Sequence, residues 1–286
     1  MRGRINRILN IVQKQEFRIL PGNLAYSFFL AIIPIITLTF YLLTYFNLQV
    51  EEIERLFQVT FSSGLVKFFR PVFTGKITLN SVITLLVSIF VMTNGCNAII
   101  IASDTIYDFE VASYFKRMIK SLLLSVILII LFGFMIIVPL LGNSIINYIG
   151  TLFDLSAYSK IINALYLILQ IPVSILVVFI IIKIIYTISP DEKVKSKHVN
   201  KGSMFTTLSW IIVTTGYSYY ISNVANYSMV YGNLANIVVL LLWFYILAVI
   251  FVIGLFINKS SSERAIEKTN SIKLEEIRKK IKEKNK

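Results

Sequence analysis

The chain has 286 residues, 56% of them hydrophobic, with 28 Lys and Arg against 15 Asp and Glu and a formal net charge of +13. Its mean hydropathy of +0.76, set against the roughly 45–50% apolar content of soluble domains, excludes an ordinary water-soluble domain. A charge this positive would point to nucleic acid in a soluble chain. Here it has a plainer source, the basic segments that orient membrane proteins and meet anionic lipid heads.

Residues 1–20 are basic and mixed, with Ile5, Ile8, Leu9 and Val12 at helical spacing, which predicts a helix on the inner membrane surface. Pro21-Gly22 is expected to break the chain. Six long apolar runs follow, at about 24–46, 77–102, 118–141, 161–188, 203–222 and 234–257. Each reaches the ~20 residues that a helix needs to cross ~30 Å of hydrocarbon. The first run is too long for a signal-peptide core and is expected to stay as the first span.

Between runs one and two, Ile53, Leu56, Phe57, Phe61, Leu65, Phe68 and Phe69 trace an apolar stripe, which predicts an amphipathic helix in the outer interface. Run two carries Asn94, Gly95 and Asn97, with Asp104 near its inner end. The steps of three and seven place Asn94, Asn97 and Asp104 along one helix face. Run three contains Pro139, and the nearly uncharged loop after it holds Tyr148, Phe153 and Tyr158 at expected headgroup level.

Run four holds Asn163, Gln170, Pro172 and Lys183; the proline frees a carbonyl in mid-membrane, and the lysine is placed to snorkel. Run five opens with Ser203, Thr206 and Thr207 and ends in a tyrosine cluster. Gly202, Thr206 and Gly232 suit close helix approach. After run six, 258–271 reads as a polar linker, and 272–286 as a basic segment with Leu274, Ile277 and Ile281 on one face. Together these elements predict an all-α polytopic membrane protein: one domain over residues 1–260 with six transmembrane helices and amphipathic interfacial helices, then a basic tail over 261–286.

The charges orient it. Segments before run one, between runs two and three together with Lys120 at the start of run three, between four and five, and after run six carry 22 Lys and Arg, against 5 in the other loops. Positive charge stays inside, so both termini are expected in the cytoplasm. Anionic lipid headgroups at that face are the expected partners; no nucleic acid is expected, and no protein partner is indicated.

Polar groups in lipid need a partner or a cavity. Asn94, Asn97 and Asp104, with Asn163 and Gln170, are the candidates for lining a central cavity. The competing reading is hydrogen bonding between helices, worth about 0.6 kcal/mol per bond. Cys96 is the single cysteine and reads as a small buried hydrophobe. His198 is the single histidine and reads as a solvated loop residue. With one His and one Cys there is no metal cluster, and there is no phosphate-binding loop. Neither a cofactor nor an enzymatic activity is expected.

Four stretches carry a family resemblance. Asn23-Leu-Ala-Tyr-Ser-Phe-Phe-Leu-Ala-Ile-Ile-Pro34 contains Ala25, Tyr26 and Pro34. Residues 92–108 end in Asp104-Thr-Ile-Tyr107-Asp. Tyr231-Gly232-Asn-Leu-Ala leads to Leu241-Leu-Trp243-Phe-Tyr245, the most specific stretch, and Gly254-Leu-Phe-Ile-Asn258 closes the set. Over about residues 15–260 the chain resembles the YihY / virulence factor BrkB family of bacterial inner-membrane proteins, some of which carry an older ribonuclease BN-like label. Asp104 stands where Asn is usual in that family, and Phe256 replaces a Glu. The resemblance implies six membrane helices and no agreed activity. RNA cleavage needs placed acid and base groups, and one His with scattered loop charges does not supply them. The functional expectation is a transporter or flippase-like protein for a lipid or other amphiphile. The alternative is a non-catalytic membrane scaffold that binds a partner.

Overall fold

The computed structural model describes residues 15–44, 79–110, 112–131, 159–223 and 233–284, with side-chain surroundings at 17–31, 34–35, 86–110, 112–131, 172–220 and 238–264. The described residues are helical apart from short connections. Helix α1 is Gln15–Thr44, α2 Leu79–Tyr107, α3 114–131, α4 Ser159–Ile188, α5 Asn200–Asn223 and α6 Asn233–Lys284. The described residues of each predicted run lie on one of these helices. Among the described residues, 86–107 and 238–264 are long and apolar enough to span a membrane, and 172–188 is a shorter apolar stretch. The predicted outer-loop helix, the loop after run three, Tyr231 and Gly232, and the side chains of Asn163, Gln170 and the tail stripe lie outside these residues.

Two boundaries differ from the sequence reading. Pro21-Gly22 does not break the chain; α1 runs through both residues and through Pro34. Leu20 and Leu24 on either side are buried in the core, so packing offsets the hydrogen bond that Pro21 cannot make. The predicted polar linker after run six is also helical, as α6 continues unbroken to Lys284. No Gly or Pro follows Gly254, so nothing stops it. Asn258 is fully buried rather than part of a linker, and Ser261 bonds back to the Ile257 carbonyl at 3.0 Å.

The core lies where α1, α2 and α6 pack together, with α5 against α6 and α4 against α5. Gly95 lets α1 and α2 approach: a methyl there would sit 3.0 Å from the Ala31 Cβ and 3.4 Å from the Ser27 carbonyl oxygen. Aromatic rings fill the centre. Phe28 of α1 meets Trp210 and Phe251 edge-on at 6.5 and 6.0 Å, the arrangement that ring quadrupoles favour. The Trp210 indole N–H is satisfied by the Leu247 carbonyl at 2.9 Å. Helix α3 joins the core through Leu124 and Leu128, while Tyr114, Phe115, Ile119, Leu123 and Ile130 are exposed, as an apolar medium allows. Its Ser125 hydroxyl donates to the Cys96 sulfur of α2 at 3.2 Å.

Candidate functional site: a polar junction at one end of the bundle

The end of α2, the start of α3, the α4–α5 connection and the middle of α6 meet at one end of the bundle. Helix α2 stops because Asp108 turns left-handed, with φ 57°, and the Phe109 N–H returns to the Asp104 carbonyl at 3.0 Å. This is the six-to-one closure of a helix C-terminus, with Asp in the place that Gly prefers. Asp108 also pairs with Lys259 of α6, which ties the two helices together.

One turn inside, Asp104 is fully buried. Its Oδ1 accepts the Asp191 backbone N–H at 2.7 Å, and its Oδ2 is buried with no hydrogen-bond partner. Asp191 is held differently. Its Oδ1 takes the Lys120 ammonium at 2.9 Å, and its Oδ2 takes the Ala112 N–H at 3.2 Å. Lys120 also donates to the Pro190 carbonyl at 2.5 Å. Burial opposes ionisation of Asp191, but the Lys120 hydrogen bond and charge outweigh it, with help from the Ala112 N–H. The Asp191 carboxyl is thereby held below the ordinary carboxylate range. Ser103 and Ser189, both fully buried, share a 2.8 Å hydrogen bond beside this clasp.

A second knot sits between α4, α5 and α6. The Tyr186 hydroxyl donates to the Phe251 carbonyl at 2.8 Å and lies 2.7 Å from the Thr206 hydroxyl. Gly254 faces both groups, and a Cβ there would collide with them. The Gly202 N–H donates to Asn258 Oδ1 at 2.8 Å, and a Cβ on Gly202 would collide with the Gly254 carbonyl and the Asn258 carboxamide. Two backbones thus pass in contact because neither glycine has a side chain.

Of the sequence candidates, Asp104 is at the junction. Asn97 is half-buried two turns away, with its Oδ1 buried and unpartnered, and Asn94 is exposed. Among the motif residues, Tyr107, Gly254 and Asn258 are at the junction, and Ala25 and Pro34 are buried in α1. Tyr26 and Tyr245 are exposed, and Trp243 stacks on Tyr217 at 5.2 Å. The hydroxyl of Tyr107 and the Nδ2 of Asn258 are buried without partners. His198 is half-buried, with its Nδ1 3.5 Å from the Ser262 hydroxyl.

Sequence reasoning missed Asp191, Lys120 and Tyr186. The one available signal was the helix stop at Ser189-Pro190, which fixes where Asp191 turns back. Nothing local marks the pairing of residues 71 positions apart.

Known proteins place the chain. UPF0761 membrane proteins of Pseudoalteromonas translucida and Chromobacterium violaceum are 29% identical over 92 and 114 residues, covering 32% and 40% of this chain and 31% and 27% of theirs. A Bacillus subtilis protein whose name describes it as putatively ribonuclease-like, YfkH, is 30% identical over 251 residues, 83% of this chain and 87% of that one. No solved structure matches. The family model described as Virulence factor BrkB matches residues 9–277, and the chain is a membrane protein of that family.

Proposed function

We propose that this chain is a six-span inner-membrane protein, with both termini in the cytoplasm, that moves an amphiphile such as a lipid or lipid-linked precursor between leaflets. The observation that carries the reading is the row of buried, unpartnered polar atoms along α2: Asn97 Oδ1, Asp104 Oδ2 and the Tyr107 hydroxyl. Such atoms cost free energy in an apolar surround unless a path or a ligand meets them. In this reading the polar junction lies at the cytoplasmic face, where Lys193, Lys195, Lys197 and Lys201 form a collar that suits anionic headgroups.

Acid–base chemistry has less support. The ammonium of Lys120 and the carboxylate of Asp191 satisfy each other, and RNA cleavage needs free groups. A scaffold role is favoured by a different observation, the continuation of α6 to Lys284, some twenty residues beyond the apolar stretch 238–264. In the scaffold reading this helix docks a partner.

The test is movement of headgroup-labelled phospholipid in proteoliposomes of the full chain, read by bleaching of the outer leaflet. Wild type is expected to exceed protein-free vesicles, and Asn97→Leu to fall towards them. Folded protein that moves neither anionic nor zwitterionic lipid would overturn the reading.

A further inference from the structure

The two carboxyls at the junction are treated very differently. Asp191 has a charged partner on one oxygen and an N–H on the other. Asp104 has one neutral N–H on Oδ1, nothing on Oδ2 and no exposure. The Lys120 bonds go to Asp191 and to Pro190, so two carboxyls share one nearby cation.

The other charged or titratable groups leave this balance unchanged. On α1 the charge among the described side chains is Arg18, which is exposed. On α3, Arg117 is half-buried, with its Nε unpartnered. On α6, Lys259 is committed to Asp108. On α5, Lys201 is exposed, and His198 in the connection before it lies against Ser262. Tyr107, one turn on from Asp104, and Tyr186 of α4 are neutral phenols.

An ionised carboxylate buried with a single neutral donor beside a second carboxylate is not a sustainable arrangement. A carboxylic acid is. Its carbonyl oxygen accepts one N–H, as Oδ1 does, and its hydroxyl occupies Oδ2. The orphaned Tyr107 hydroxyl, on the same face of α2 and also buried, is a second polar group left open at this end.

We propose that Asp104 is a proton-binding site, and that release of its proton opens the contact between the end of α2 and the α4–α5 connection. The proton passes to water and leaves a carboxylate. That carboxylate must either reach water or draw Lys120 away from Asp191, and both outcomes break the clasp that seats the connection. Resting on the transport reading, the proposal makes the proton the coupling ion of the cycle.

The experiment is infrared spectroscopy of the full chain in phospholipid vesicles across neutral pH. It needs no lipid flux, so the proton site and the transport reading fail separately. Wild type is expected to show a deuterium-sensitive carboxylic-acid carbonyl band that Asp104→Asn abolishes and that disappears as pH is raised. The same band must shift on carbon-13 labelling of aspartate, a readout that needs no variant; the chain has four aspartates. Hydrogen exchange in residues 189–199, corrected for its intrinsic pH dependence, should rise as the band is lost in wild type and stay flat in Asp104→Asn. Absence of the band at neutral and mildly acidic pH, or a band that aspartate labelling leaves unmoved, overturns the proposal.

Discussion

Helix α5 contains two glycines whose replacement by alanine should change stability in opposite directions. Gly216 has nothing within 4 Å of where its Cβ would stand. In a helix interior, Gly→Ala there should stabilise by up to about 1 kcal/mol from propensity alone. At Gly202 the same methyl would land on the Gly254 carbonyl and the Asn258 carboxamide. Overpacking a tight contact costs about 1–3 kcal/mol. Losing the buried 2.8 Å bond from the Gly202 N–H to Asn258 costs about 1–3 kcal/mol more, because the fully buried Asn258 cannot turn to water. Against a propensity gain of about 1 kcal/mol, the net loss for Gly202→Ala is about 1–5 kcal/mol. Reversible unfolding of both variants in mixed micelles measures the pair. Equal shifts, or a Gly202→Ala variant as stable as wild type, would refute the close approach of α5 and α6.

Gly254→Ala should destabilise similarly, and Thr206→Ala should recover part of that loss, with a coupling of about 0.5–3 kcal/mol in a double-mutant cycle. Tyr186→Phe removes a fully buried hydroxyl from the Phe251 carbonyl and Thr206 and should cost about 1–3 kcal/mol in the same unfolding assay. Lys120→Met leaves Asp191 unpaired; because Lys120 retains 19% exposure, the expected loss is about 2–4 kcal/mol, and adding Asp191→Asn should restore most of it. The Asp191 carboxyl is held below its ordinary range. Its stabilising contribution is therefore present at neutral pH and is lost as pH falls through that lowered value. The stability difference between wild type and Asp191→Asn, measured against pH, should close on acidification.

Much of the helical skeleton was legible because long apolar runs announce themselves by length and composition, and the described residues of all six runs are helical. The errors came where packing overrides local signals. Pro21-Gly22 reads as a break, but Leu20 and Leu24 are anchored in the core on either side. The polar letters after Ile257 read as a linker, but Asn258 is the group that meets Gly202. Asp104 stood out because an acid near the end of an apolar run is costly. Asp191 and Lys120 did not, since ordinary loop and interfacial charges look the same in sequence. Their pairing exists only once the α4–α5 connection folds back on the start of α3.

In the transport reading proposed above, the polar face of α2 borders a path open to water and amphiphile. Asn97→Cys in a Cys96→Ser background, treated in membrane vesicles with an impermeant thiol reagent, tests it most directly. The exposed Glu192 position, as Glu192→Cys, is the positive control. Labelling of the Asn97→Cys variant, slowed by added phospholipid analogue, is the expected result. Labelling of the control with none at 97, from either side of the membrane, would contradict it.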